Sequence, residues 1–119
     1  MAKPVSASQV KLCLPTQKGF LIVQLNEVLY CEAQGNHTIF RLLLNRSLLV
    51  TRPLFDYEQL LSGTTFLRIH RSFLINILHV RQYLRGEGGS VVMADGSELE
   101  ISRAKKEFFI QNLRQLLTY

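Results

Sequence analysis

Apolar and polar positions alternate along most of this chain, and glycine, proline and asparagine interrupt the alternation at short intervals. Half-buried strands joined by tight turns give that pattern. Lys11 to Leu14 reads as a short strand, Pro15-Thr16-Gln17-Lys18-Gly19 as a turn, and Phe20 to Gln24 as the returning strand. Glu27 to Ala33 is a third strand by its β-branched and aromatic content, and Gln34-Gly35-Asn36 is a turn by residue type. His37 to Leu44 and Ser47 to Thr51 flank a tight turn at Asn45-Arg46. Further strands read at Phe66 to His70, Val80 to Arg85, Ser90 to Met93 and Glu98 to Ile101, with the hairpin signal Asp95-Gly96 between the last two.

The period changes at Thr51-Arg52-Pro53. Pro53 suits the first turn of a helix. Leu54, Tyr57, Leu60 and Leu61 then share one helical face, and Gly63 ends the element. A second helix is predicted from about Arg103 to Leu117, with Ser102 as its N-cap. Its apolar stripe is Phe108, Phe109, Leu113, Leu116 and Leu117, with Asn112 as the exception. The predicted fold is mainly β and antiparallel, with one short internal helix and a C-terminal helix. It occupies residues 11–119, after a tail or linker stub over residues 1–10 where Ser, Ala, Pro and Gln prevail.

A chain of 119 residues is one domain by size and can bury a core without staples. No apolar run approaches the ~18 residues of a transmembrane helix. Met1 to Gln9 holds one Lys and no apolar block, so no secretory signal is expected and the expected location is the cytoplasm. Cys13 and Cys31 lie inside apolar strand-like runs without metal-type pairing, which predicts reduced core thiols. A bridge between them stays open if their strands are neighbours.

Charge narrows the function. The net charge is +5 and the sequence pI about 9.6, a balance that favours nucleic acid or an anionic surface as partner. Between Glu58 and Glu87 there is no acidic residue, while Arg68, Arg71, Arg81, Arg85, His70 and His79 all fall in the gap. Guanidinium groups at this density suit phosphates or guanine edges. Arg71 breaks the alternation of its strand, which predicts a bulge or loop with the side chain outward. An ion pair with Glu98 or Glu100 is its structural alternative. Arg68 serves either a phosphate or the solvated sheet face. His70 is either a phosphate contact or a neutral ring satisfied by backbone, and Ser72 has the same two readings. Asn76 is placed to organise a turn through its side chain.

Four segments, in order, carry a resemblance to the LytTR domain, the DNA-binding output module of bacterial response regulators of the LytR and AlgR kind. They are Val28 to Ala33 with Gly35-Asn36-His37-Thr38, then Thr51-Arg52-Pro53-Leu54, then Phe66 through Asn76, and finally Asp95-Gly96 with Leu99-Glu100-Ile101-Ser102-Arg103. The resemblance implies that loops and strand ends, rather than one recognition helix, enter successive major grooves. It implies DNA contacts from Asn36, His37, Thr38, Arg68, His70, Arg71, Ser72, Arg103, Lys105 and Lys106. Of these, Arg71, Arg103 and the Asn36-His37 loop would read bases, and Arg68, Lys105 and Lys106, with Arg81 or Arg85, would hold phosphates. It further implies double-stranded DNA with tandem direct repeats, two copies or a homodimer on that DNA, and a receiver domain in a longer parent chain.

Other chemistries find little support. The spacings of His37, His70 and His79 match no zinc pattern, so no metal or cofactor is expected. No Ser–His–acid or paired-carboxylate signature is present, and Gly86-Glu87-Gly88-Gly89 precedes no helix that would make it a phosphate loop, so no enzyme is expected. A protein-interaction or dimerisation module remains the alternative, using the last helix or the apolar strands at Phe20–Val23 and Leu42–Leu44. RNA binding on a sheet ranks below it, because Phe66 and Phe73 are read as core residues rather than exposed stacking platforms.

Overall fold

The computed structural model describes residues 10–117. Ten strands and two α-helices follow in the order β1 (Lys11–Thr16), β2 (Gly19–Gln24), β3 (Val28–Gln34), β4 (His37–Leu42), β5 (Arg46–Val50), α1 (Leu54–Leu60), β6 (Phe66–His70), β7 (Phe73–Asn76), β8 (Val80–Leu84), β9 (Ser90–Met93), β10 (Glu98–Glu100) and α2 (Lys106–Leu116). Every strand pairing is antiparallel. A five-stranded sheet in the order β5-β4-β3-β7-β6 forms the centre, beside the β1-β2 hairpin and a three-stranded sheet ordered β10-β9-β8.

Two apolar cores flank the central sheet, and period-2 alternation assigns side chains to one or the other. Phe66, Leu74, Cys31, Phe40 and Leu42 join Leu12, Leu14 and Val23 of the hairpin and Leu54, Tyr57 and Leu61 around α1. Leu67, Ile69, Ile75 and Tyr30 join Val91, Met93, Leu99 and Ile101 of the second sheet, with Phe109 from α2. Phe40 and Tyr57 meet edge to face at 4.7 Å between ring centres, docking α1 on its core. Asn76 is fully buried where β7 ends. Its Nδ2 donates to the Val28 carbonyl at 3.0 Å, and its Oδ1 accepts from Thr65 Oγ1 at 2.8 Å and from the Leu78 amide at 3.2 Å. The predicted turn role of Asn76 thus extends to tying β3, β7 and the segment before β6 together.

Several expectations change. A strand not expected from the sequence, Phe73–Asn76, follows Phe66–His70, and Arg71 takes the loop alternative, exposed in the Arg71-Ser72 turn between them. Cys13 is exposed on the outward face of β1, opposite Ile22, and only Cys31 is a core thiol; both are free. Leu60 points to solvent, 60% exposed, because the helix is a short one whose core face is Leu54, Tyr57 and Leu61. The C-terminal helix begins later than Arg103. Arg103–Lys105 form a 3-10 turn after Ser102, whose hydroxyl makes no cap bond. In α2 the core face is Phe109, Ile110 and Leu113, continued by Leu117, while Phe108 and Leu116 are each 41% exposed. Of the tail expected over residues 1–10, residues 1–9 lie outside the described residues, and the Val10 carbonyl accepts from the Leu25 amide at 2.8 Å. No helix among the described residues is long and apolar enough to cross a membrane.

Candidate nucleic-acid interface

Antiparallel topology brings two of the turns to one end of the central sheet. β3 leaves and β4 returns through Gly35-Asn36, where Gly35 takes a φ of +59° that suits a residue without Cβ. β6 leaves and β7 returns through Arg71-Ser72. Since β3 pairs antiparallel with both β4 and β7, these two turns share an end, and the Ala33 amide donates to the Ser72 carbonyl at 2.8 Å across it. β5 arrives at the same end, with Val50 opposite Thr38, and hands over to Thr51-Arg52. The Ser102 amide donates to the Ile69 carbonyl at 2.9 Å, which brings the start of the C-terminal helical segment to the end of β6.

Asn36, His37, Arg52, Arg71, Ser72 and Arg103 therefore converge, although they come from distant parts of the sequence. Asn36 and Arg71 are exposed and His37 is half-buried. Arg71 has no ion-pair partner among the described residues, so the expected alternative of pairing with Glu98 or Glu100 is not met. Lys105 joins Arg71, Arg68, His70, Glu58 and Ser102 around one cleft, and its ammonium lies 5.1 Å from the centre of the Phe108 ring. Lys106 follows at the first residue of α2, half-buried. Arg85 stands at the foot of the loop after β8, and Arg81 lies farther along β8 beside a groove against α2.

Not every sequence candidate reaches solvent. Thr38 is fully buried and its hydroxyl donates to the Arg52 carbonyl at 2.8 Å, so it braces the turn region and is not a surface contact. Arg68 is largely enclosed. Its Nη1 meets Glu58 Oε1 at 2.6 Å, its Nε donates to the His70 carbonyl at 2.7 Å, and its Nη2 donates to the Arg71 carbonyl at 2.5 Å. His70 Nδ1 accepts from the Ser72 amide at 3.0 Å, which leaves the ring proton of the neutral form on Nε2, 4.0 Å from Glu100 Oε2. The backbone-satisfied reading of His70 holds in this geometry.

Three residues at this end lie outside the expected set of DNA contacts. Arg52 sits over α1, with its Nε 3.8 Å from Asp56 Oδ2. Burial raises the pKa of the neighbouring Tyr57 hydroxyl, and Arg52 partly offsets the rise. Glu58 was visible only as the last acid before a long gap. Glu87 pairs with Arg103 from the loop after β8. That loop is closely seated, since the Ile101 amide donates to the Gly89 carbonyl at 3.0 Å and a Cβ on Gly88 would come within 2.2 Å of the Ile101 carbonyl oxygen. The opposition of Thr38 and Val50 was the signal for Arg52, once the β4-β5 register is fixed. Nothing local in the sequence announces Glu58 or Glu87 as partners.

Residues 18–115 match the family described as the LytTr DNA-binding domain. The sensory transduction protein LytT of Bacillus subtilis (strain 168) is 26% identical over 113 residues, which are 93% of this chain and 45% of that protein. The CO-responsive transcriptional regulator RcoM of Rhodospirillum rubrum is 31% identical over 93 residues, 76% of this chain and 37% of that protein. A solved LytTr DNA-binding domain from Bacillus cereus superposes with a TM-score of 0.75 at 25% identity, covering 87% of this chain and 95% of that one. The chain spans less than half the length of these two proteins.

Proposed function

The chain belongs to the LytTR DNA-binding domain family, and from that premise we propose that it recognises a specific double-stranded DNA sequence and serves as the output domain of a transcription regulator. One observation carries the reading: the Asn36-His37 turn, the Arg71-Ser72 turn and the Arg103 segment meet at one end of a rigid sheet. Arg71 and Arg103 offer bidentate donors for guanine, and Asn36 and His37 can pair with base edges in a neighbouring stretch of groove. Lys105, Lys106, Ser72 and Arg52 flank them as phosphate contacts. Loops can enter successive major grooves in this way because the sheet behind them holds their spacing. Tandem direct repeats occupied by two copies, with a receiver domain elsewhere in a longer parent, complete the proposal.

A second reading is favoured at a different place. Phe20 and Ile22 are 70% and 57% exposed on the outer face of the β1-β2 hairpin, and large exposed apolar side chains mark interaction surfaces. Selection from random duplex DNA at physiological salt, with excess non-specific competitor, separates the two. The proposal expects an enriched motif, and Arg71→Ala or Arg103→Ala should each cost roughly 1–3 kcal/mol of binding and relax the preference at one position. Retention of DNA without any motif, or a motif that both variants keep unchanged, would refute it.

A further inference from the structure

Resting on the DNA-binding reading, we propose that Arg68 is a positioning residue: oriented by Glu58, it fixes the β6-β7 turn in its DNA-reading shape and does not itself hold phosphate. All three guanidinium nitrogens already have acceptors within the chain, on the Glu58 carboxylate and on the carbonyls of His70 and Arg71. Those carbonyls belong to the last residue of β6 and the first residue of the turn. Two further groups of the turn are held as well. The Ser72 amide donates to His70 Nδ1, and the Ser72 carbonyl accepts from Ala33 of β3.

The backbone of the turn is thus fixed from beneath while the Arg71 side chain stays exposed above it. A loop held in this way has little conformational freedom left to lose on binding, which is how preorganisation raises affinity for one partner. The planar fork of arginine explains the residue type. It can meet two carbonyls and a carboxylate in fixed directions, whereas a lysine ammonium supplies the same charge from a single point. The Arg68 side chain is 17% accessible, against 34% for Glu58, so the cation lies behind its partner and the turn. Glu58 comes from α1, so the helix that plugs the first core also sets the angle of the guanidinium.

The test compares wild type, Arg68→Lys and Glu58→Ala on a selected duplex and on random duplex, across a salt series, with melting temperature recorded for each. Positioning predicts that Arg68→Lys lowers affinity for the selected duplex about tenfold, within the range of a lost base contact, while binding to random duplex and the salt slope stay at wild-type values. Glu58→Ala should lose specific affinity too, although it removes a negative charge beside the DNA. That variant decides the matter where Arg68→Lys fails to fold. A preference undiminished in both variants overturns the inference and leaves the DNA reading intact. A wild-type protein with no preferred duplex overturns the DNA reading and the inference with it.

Discussion

Burial pushes the Cys31 thiol far above the ordinary cysteine range, because the sheet leaves no water around it to solvate a thiolate. In the unfolded chain the same group titrates near about 8.5. Above that pH the unfolded state releases a proton that the folded state keeps, so stability falls as pH rises, at up to about 1.4 kcal/mol per pH unit. Denaturation melts at pH 8, 9 and 10 should show this decline, and Cys31→Ser should flatten it. Cys13, exposed on β1, should react with a thiol reagent in the native protein while Cys31 reacts only on unfolding. Equal labelling rates for both would contradict the placement. At the interface, Arg103 and Glu87 form a pair in which both side chains are mostly exposed. On the proposed reading of Arg103 as a DNA contact, DNA competes with Glu87 for that guanidinium. Glu87→Gln should therefore tighten binding roughly threefold, the size of a surface ion pair, and should do almost nothing in an Arg103→Ala background. An equal gain in both backgrounds would mean that Glu87 acts only as a distant charge.

Elements in this protein are held by a few buried polar links as well as by apolar packing. Asn76 joins β3, β7 and the segment before β6 through side-chain bonds in a site without solvent. Asn76→Ala leaves the Val28 carbonyl and the Thr65 hydroxyl without those partners and should cost about 2–3 kcal/mol in urea unfolding, since orphaned buried polar groups are expensive. A loss below about 1 kcal/mol would show that neighbouring groups replace the bonds. This is also the scale at which the sequence was most and least legible. Nine strands could be placed from alternation and turn residues. β6 has the expected bounds, but β7 is not announced locally, because Phe73-Leu74-Ile75 is an unbroken apolar run whose side chains enter both cores instead of alternating with polar ones. The apolar residues of α2 divide between two surfaces, which periodicity alone does not distinguish. Phe108, Asn112 and Leu116 are spaced at i, i+4 and i+8, yet they line a groove beside β6 and the Ser62–Thr64 segment instead of the core. Thr38 and Arg68 sit in motifs whose residue types fit DNA, but burial and long-range partners decide what they do. Those partners follow from register and tertiary packing, which no local pattern encodes.

At the scale of the whole molecule, antiparallel pairing assembles the proposed interface. The β3-β4 and β6-β7 hairpins of the central sheet turn at the same end, and the segment before α2 is bonded to that end through Ser102 and Ile69. The opposite arrangement holds at the β1-β2 hairpin, which packs its inner face on the first core and turns Phe20 and Ile22 outward. The two surfaces make different predictions for a bound duplex. The most direct measurement is a titration of the isotope-labelled protein with a selected duplex, following backbone amide shifts. The largest shifts should fall on Asn36, His37, Arg71, Ser72 and Arg103, with Phe20 and Ile22 unmoved. Shifts centred on the β1-β2 hairpin, or spread evenly over all lysines and arginines, would contradict the proposed interface.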